Sequence, residues 1–412
     1  SKRRPRNEVA RFIIQDLDSA YYFMSPTPPV SNRLTRDCAA LLKSRVALFE
    51  GTWEKYHKGT ARVPGGPGWP GAQKDYLKNF SINIDNEIRY FLEEAKKAAQ
   101  LVADNYTLHN DYPALFNSNS LDGIPEVLLW RAYNAGITPA VNHFVVGYLQ
   151  RNGGGNSGYT RSMIDTYLMK NGLPIYASGS EYKGDRTYQD VADGRDPRLA
   201  FNTMLPGDML TKQAAMTEAI IDGAGFYYRA PITEMAENRC TTGYSIKKGL
   251  TTDPSQGPTL PSVTGCVIFR AAEAYLNYME ADYELTHALD ANSQKYWKAL
   301  RERAGMDTDY QKTITHTNLE KEVDFARYSG STLVDATLYN IRRERRIELA
   351  AEGFRMRDLR RWCALDKMQD YQVEGFNLWA ENYKRYTTPA AGLDKNFDKP
   401  LGVIDLKEAG TK

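Results

Sequence analysis

Residues 341–362 read IRRERRIELAAEGFRMRDLRRW, with eight arginines and four carboxylates in 22 residues. Glu344, Glu348 and Glu352 recur every four residues, a spacing that places them on one stripe of a helix. Gly353 interrupts this helix, because glycine readily adopts turn conformations that other residues avoid. We therefore predict two helical segments, with the second turned back over the first.

The acidic and basic residues of this stretch are interleaved, which indicates ion pairs. Arg345 lies three residues before Glu348, and Arg355 lies three residues before Asp358, so each pair is within reach on a helix surface. The simpler interpretation is an ion-pair network that locks two helices, with little free energy from each exposed pair. The alternative is a catalytic or nucleic-acid-binding role for the arginines, which the interleaved carboxylates disfavour.

The whole chain has the composition of a globular protein. Of its 412 residues, 42% are hydrophobic and 25% are charged, which excludes disorder and collagen-like repeats. The net charge of +2 argues against a nucleic-acid binder. No apolar stretch approaches the roughly 18 residues of a membrane-spanning helix. A basic run at the start is interpreted as a solvated tail: Lys2, Arg3, Arg4 and Arg6.

Helical periodicity predicts helices towards both ends of the chain. The predicted helical segments are 7–24, 35–57, 74–103, a segment starting at 263, 292–304 and 338–365. Thr35 is the predicted N-cap of the second helix, and Gly59 its stop. Residues 104–262 carry 17 of the 31 glycines and 10 of the 19 prolines, so we predict a loop-rich middle region. Binding surfaces usually lie on such loops.

Local catalytic and metal-binding motifs are absent from the sequence. No two of the five histidines lie within ten residues of each other, and there is no CxxC, GxSxG, Walker A or DxDxDG motif. We therefore expect no cofactor and no metal site. A glycoside hydrolase stays open, because its two carboxylates can come from distant positions. The four cysteines are expected to be buried free thiols, and Cys240 with Cys266 is the one pair considered for a disulfide.

The 341–362 stretch resembles the signature of the SusD/RagB family. The signature pairs match at every spacing: Glu344-Arg345, Glu348-Leu349, Glu352-Gly353, Arg355, Asp358-Leu359 and Arg361-Trp362. Five further segments resemble the family in the right order: YLMKNGLP at 167–174, RDPRL at 195–199, TGYSIKK at 242–248, FRAAEAYLNYMEA at 269–281 and RERAG at 301–305. The resemblance covers nearly the whole chain.

The resemblance implies a mostly α, SusD-like helical fold with tetratricopeptide-like helix pairs as its scaffold. Its regions would be a helical-repeat part at 1–103, a loop-rich ligand side at 104–262 and a C-terminal helical part at 263–412. We expect these to form a single SusD-like domain, 1–412, that lacks the family's N-terminal segment. The signature residues would then be structural.

The resemblance also implies a function. Family members are lipoproteins on the outer face of a Bacteroidetes-type outer membrane, and they act as the lid of a SusC-like TonB-dependent transporter. They bind oligosaccharides, or in some branches peptides, and they are not enzymes. We expect the same partner and ligands here, and no binding of nucleic acid. The lipid anchor would be on the N-terminal segment that this chain lacks.

Aromatic residues are the candidates for sugar binding, because a flat ring stacks on the apolar face of a pyranose. Trp69 lies in PGGPGWPG at 64–71, a loop where burial is hard, and Tyr76 lies close to it. A contact with the transporter or a hydrophobic plug is an equally good interpretation of Trp69. Trp379, in the C-terminal tail, is a third candidate. Four tryptophans are predicted to be core residues: Trp53, Trp130, Trp297 and Trp362.

Overall fold

The N-terminal sequence forms three long helices, α1 (Arg6–Phe23), α2 (Arg36–His57) and α3 (Ile84–Ala103). A computed structural model describes residues 2–26, 32–137, 141–143, 145, 157–205, 208–210, 219–222, 225–228, 240–251, 253–256, 261–369 and 371–377. The hydroxyl of Thr35 accepts a hydrogen bond of 3.4 Å from the backbone N–H of Cys38. The predicted N-cap of α2 is therefore confirmed.

The third helix is shorter than its periodicity predicts. Two 3₁₀ turns, Pro70–Gln73 and Asp75–Leu77, stand where the helix was expected to begin. The side chain of Asn83 caps α3 by accepting a bond of 3.1 Å from the N–H of Asn86. The predicted start at residue 74 is wrong, because the apolar residues before this cap pack within the loop: the Phe80 ring lies 5.1 Å from that of Trp69.

The remaining elements follow in chain order. They are α4 (Ala114–Asn117), β1 (Val127–Arg131), α5 (Arg161–Thr166), α6 (Tyr188–Ala192), α7 (Pro197–Asn202), β2 (Met209–Leu210), β3 (Ala219–Asp222), β4 (Gly225–Tyr228), β5 (Cys266–Arg270), α8 (Ala271–Thr286), α9 (Ala291–Arg303), α10 (Tyr310–His316), β6 (Tyr328–Ser329), β7 (Thr332–Leu333), α11 (Ala336–Glu348) and α12 (Arg355–Arg361). With twelve α-helices and short strands among the described residues, the mostly α prediction is confirmed.

One predicted helix begins as a strand. The helical pattern was expected to resume at residue 263, but β5 pairs with β1 in a two-stranded sheet. The residues of β5, CVIFR, include β-branched and aromatic types that favour strands. The helix α8 starts only at Ala271, where alanine and glutamate replace them.

The chain divides into two compact units. The first comprises Ser1–Asn110, Leu121–Arg131 and Val267–Tyr371, and the second comprises Asp111–Ser120, Ala132–Cys266 and Gln372–Lys412. In the first unit, α2 packs against α1 and α3, and α3 packs against α8. In turn, α8 packs against α9 and α11. The single-domain arrangement stays a prediction.

The core of the first unit contains three of the four tryptophans predicted to be buried. Trp297 and Trp362 have no exposed surface, and Trp130 is 5% exposed. Trp53 is only half-buried. Its ring is partly exposed to solvent and partly covered by the Arg6 guanidinium, which lies 4.3 Å from the ring centre. The prediction that Trp53 is a core residue is therefore wrong.

The second unit contains short helices and strands stabilised by buried polar side chains. Among its described residues, strands β2, β4 and β3 form an antiparallel sheet in that order. The RDPRL segment at 195–199 gives an example of this buried hydrogen bonding. The buried Arg195 guanidinium donates to the carbonyl oxygens of Ile164 and Tyr167 at 2.6 and 2.7 Å. Asp196 caps α7 and binds the guanidinium of Arg198 at 2.7 Å.

The cysteines differ from the expectation of four buried thiols. Cys38 and Cys240 are buried, whereas Cys363 is half-buried and Cys266 is exposed. None of the four forms a disulfide, so the considered pairing of Cys240 with Cys266 is not present. Cys266 is the first residue of β5, and the strand becomes buried only at its last two residues.

The turn predicted at Gly353 is present, with a φ of +79°. A Cβ at this position would meet no atom within 4 Å, so the cost of a side chain is backbone strain alone. We expect Gly353→Ala to lower the free energy of unfolding by about 1–2 kcal/mol. Urea unfolding measures this. Gly353→Asn should lose less, because asparagine tolerates the left-handed conformation; equal losses would contradict the explanation.

Candidate functional site

The signature stretch is buried, and its charges are paired with distant segments. Arg270, which is 2% exposed, binds Glu126 and Glu348 through Nη1 at 2.7 and 2.6 Å. The same guanidinium binds Glu352 through Nη2 at 2.7 Å. Arg303 also binds Glu126, at 3.1 Å. This cluster joins β1, the N-terminus of α8, α9 and the end of α11.

A second buried cluster joins α12 to α8 and α11. Arg345 donates to Asp358 at 2.8 Å and to the side-chain oxygen of Asn277 at 2.7 Å. Arg361 binds Asp358 at 2.9 Å and Glu280 at 2.7 Å. Although burial acts to raise the pKa of the Asp358 carboxyl, the guanidinium groups of Arg345 and Arg361 lower it below its usual value.

The pairing within the signature differs from the one that its spacing predicts. Arg345 binds Asp358 rather than Glu348, and Arg355 binds Asp324 rather than Asp358. The network was also expected to be exposed, whereas these carboxylates are nearly inaccessible to solvent. Both expectations are wrong for one reason: helix spacing shows which residues are neighbours along α11, but not which other elements approach it.

The first unit contains a cavity of about 780 Å³. Its walls are the start of the chain with α1, one face of α2, the loop at 61–77 and α12. Apolar side chains cover much of the wall: Val9, Ile13, Leu42, Val46, Phe49 and Leu77. The volume lies within the range of about 300–1,000 Å³ that small-molecule sites occupy.

The cavity brings together two of the three candidate ligand-binding residues. Trp69 and Tyr76 both line it, and Trp379 lies outside the described residues. The indole of Trp69 lies over Gly71, where a Cβ would come within 2.1 Å of the ring, and against Phe80. Its orientation is therefore fixed by packing. Tyr76 is 39% exposed, and the Lys2 ammonium lies 5.6 Å from its ring.

The lining of the cavity is strongly basic, with nine arginines and lysines against two carboxylates, Glu50 and Asp358. Both carboxylates are already bound to arginine. Arg6 holds Glu50 with two hydrogen bonds of 2.7 and 2.6 Å, and Asp358 belongs to the cluster described above. The cavity therefore presents cations, aromatic faces and apolar surface, with no free acid.

Sequence reasoning found the two aromatic residues of the cavity but missed its charge. The basic run at the start was interpreted as a solvated tail, yet Arg3, Arg4 and Arg6 line the cavity. Lys74 and Arg357 were not candidates at all. The proline and glycine content of the 61–77 loop predicts that its side chains are poorly buried. No sequence pattern predicts that α12 lies beside this loop.

The residues that the structure describes contain neither a metal-binding cluster nor a membrane-spanning helix. Within them, no group of three or more histidine, cysteine, aspartate or glutamate side chains is arranged to bind a metal ion. No helix in the same residues combines the length and apolar character needed to cross a membrane.

A protein-family model described as the SusD family matches residues 128–400. No curated protein matches the chain significantly. Among solved structures, a SusD-like protein from Bacteroides fragilis NCTC 9343 is 21% identical, with a TM-score of 0.53, over 86% of this chain and 60% of its own. A SusD-like carbohydrate binding protein from the same organism is 15% identical, with a TM-score of 0.57, over 93% of this chain and 64% of its own.

A third structure, determined with xylogluco-oligosaccharide, is 20% identical, with a TM-score of 0.52, over 87% of this chain and 57% of its own. The chain thus spans about three fifths of the length of these structures. At such low sequence identity, the similarity between this chain and these structures shows the fold alone. The family model, however, covers more than half of the chain and includes the whole signature stretch, so the chain belongs to the SusD family.

Proposed function

We propose that this protein binds oligosaccharides at the cell surface, through the cavity lined by Trp69 and Tyr76. In this proposal it is a lipid-anchored, non-enzymatic protein of the outer membrane that passes its ligand to a SusC-like TonB-dependent transporter, for which it acts as the lid. Membership of the SusD family carries the class of function. The structural neighbour determined with xylogluco-oligosaccharide supports the class of ligand.

The cavity supports this proposal through its shape and its aromatic faces. The packed indole of Trp69 and the exposed ring of Tyr76 offer two flat surfaces in one enclosure, which suits the apolar faces of pyranose rings. The guanidinium and ammonium groups around them are hydrogen-bond donors for sugar hydroxyls. Both aromatic residues precede the part of the chain that the family model matches. The cavity differs from the expected ligand side at 104–262, because no described residue of that region lines it.

The acid chemistry of the cavity favours binding over hydrolysis. A glycoside hydrolase needs one carboxylic acid that is protonated and a second carboxylate at a fixed separation. Here Glu50 is bound bidentately by Arg6, and Asp358 is kept ionised by Arg345 and Arg361. Neither lining carboxyl is therefore available as the general acid.

Calorimetry with a panel of oligosaccharides and peptides tests the proposal. We expect saccharide binding without shorter products, and an affinity about fivefold lower in Trp69→Ala, because an aromatic stacking contact contributes on the order of 1 kcal/mol. Trp69→Phe should restore part of the loss. Phe23→Ala removes an exposed aromatic ring outside the cavity and serves as the control.

Each other outcome of this screen would contradict a stated part of the proposal. Binding of peptides alone would assign the protein to a peptide-importing branch. Shorter sugars in the reaction would show an enzyme. Saccharide binding that Trp69→Ala leaves unchanged would place the ligand outside this cavity.

A further inference from the structure

We propose that the cavity selects acidic oligosaccharides, whose carboxylate or sulfate groups bind a cationic rim formed by Arg3, Arg62, Lys74 and Arg357. This inference rests on the proposed function, because it names the class of saccharide that the same cavity binds. It follows from the distribution of paired and unpaired charges around the cavity.

Five of the nine basic side chains of the lining are neutralised by carboxylates. The pairs are Arg4–Glu8, Arg6–Glu50, Arg45–Glu273, Arg345–Asp358 and Arg361–Glu280. Most of these carboxylates are buried, so the pairs belong to the framework of the first unit. These five arginines therefore have a structural role. The other four basic residues of the lining are the rim residues.

The four rim residues have no ion pair with any carboxylate in the described part of the chain. All four are exposed, and they come from separate segments: the start of the chain, the two ends of the 61–77 loop and α12. Cations that line one cavity without paired acids repel one another, and this repulsion weakens the fold. An anionic group in the cavity would offset this repulsion.

The surroundings of the rim strengthen its attraction for an anion. The guanidinium of Arg357 lies 5.3 Å from the ring of Phe354, a buried side chain that also lines the cavity and limits where the guanidinium can move. The apolar wall displaces water from one side of the site, and charges interact more strongly where the dielectric constant is lower. The rim therefore binds an anion better than the same cations would on an open surface.

The neighbouring aromatic residues favour a saccharide as the carrier of that anion. The Trp69 indole and the Tyr76 ring provide the flat contacts that pyranose rings use, and Lys74 lies between them in sequence. A uronic acid or a sulfated sugar joins both features in one unit, with an apolar face and a charged group on the same ring. An acidic peptide supplies the charge without the pyranose face.

A charge-neutralising double variant with a matched control tests this inference on the full 412-residue chain. Lys74→Gln with Arg357→Gln removes two rim cations. Lys78→Gln with Arg360→Gln removes two exposed cations that lie three or four residues away in the sequence and do not line the cavity. The probes are an oligogalacturonide, its carboxyl-reduced counterpart and a sulfated chondroitin oligosaccharide, measured by calorimetry at two salt concentrations.

We expect the acidic probes to bind at least tenfold more tightly than the reduced one, and to weaken as salt is added. The rim variant should lose about tenfold in affinity for an acidic probe, since each partly exposed cation contributes a few-fold. The control variant should bind like the unmodified chain. Affinity for the reduced probe should be the same in all three proteins.

Two kinds of failure are distinguishable. Equal binding of acidic and reduced probes, or acidic binding that the rim variant leaves unchanged, would overturn the rim while the saccharide-binding function stands. Failure to bind any saccharide, or binding of acidic peptides alone, would overturn the proposed function and the rim together.

Discussion

Replacement of Arg270 by methionine is expected to lower the free energy of unfolding by about 3–5 kcal/mol. The Arg270 guanidinium is buried among the carboxylates of Glu126, Glu348 and Glu352, with N–O distances of 2.6 to 2.7 Å. Methionine fills a similar volume but leaves these carboxylates in a low-dielectric interior with less positive charge. Breaking one side of a buried ion pair costs far more than removing an exposed one.

Guanidinium chloride unfolding, followed by circular dichroism, measures this loss. Arg360→Met is the matched control, because Arg360 is an exposed arginine of α12 and its replacement should change stability by less than about 0.5 kcal/mol. A change of similar size in both variants would show that the cluster around Arg270 is no more important than a surface charge.

The second large effect concerns pH and the buried Glu54 of α2. Glu54 has no exposed surface, and its carboxyl group lies beside that of Glu50. Burial, together with the negative charges of Glu50 and Glu87, raises the pKa of Glu54 to about 9, and the nearby Arg6 only partly opposes this. The folded protein therefore keeps this carboxyl protonated at neutral pH.

The sign of the pH dependence follows from the raised pKa. The unfolded chain ionises Glu54 above its ordinary pKa of 4.5, whereas the folded chain binds the proton up to about pH 9. Glu54 therefore costs no stability below about pH 4.5, and its cost grows as the pH rises towards 9. Between pH 5 and pH 8 we expect a loss on the order of 2–4 kcal/mol from this residue.

Glu54→Gln should remove this part of the pH dependence, because an amide has the shape of the neutral acid but does not ionise. Urea unfolding at pH 5 and pH 8 measures it: the unmodified protein should lose more stability over this interval than the variant. Glu93→Gln, at an exposed position of α3, should keep the original pH dependence. Parallel stability curves for the unmodified and Glu54→Gln proteins would contradict a protonated Glu54.

The local elements of this fold could be predicted from the sequence where short-range chemistry determines them. Thr35 caps α2 with its own hydroxyl, and Gly353 adopts the left-handed turn between α11 and α12. The strand β5 could not be separated from α8 by periodicity, because the apolar pattern runs on through both. Its pairing with β1 is a tertiary contact, and only that contact distinguishes the strand.

The candidate site could be predicted in part for the same physical reason. Trp69 was identifiable because prolines and glycines around it prevent a regular, buried element. Arg357 was not, because its sequence neighbours are other charged residues of α12, and only the packing of α12 against α2 brings it to the cavity. The ion pairs of the signature stretch were mispredicted in the same way: Arg345 finds its partner 13 residues away.

In the proposed complex, the saccharide binds in the cavity between α1, α2, the 61–77 loop and α12. A crystal structure of the chain with an oligogalacturonide tests it most directly. We predict a pyranose ring against the Trp69 indole and a carboxylate within hydrogen-bond distance of Lys74 or Arg357. An oligosaccharide bound elsewhere on the protein, with this cavity filled only by water, would contradict the account.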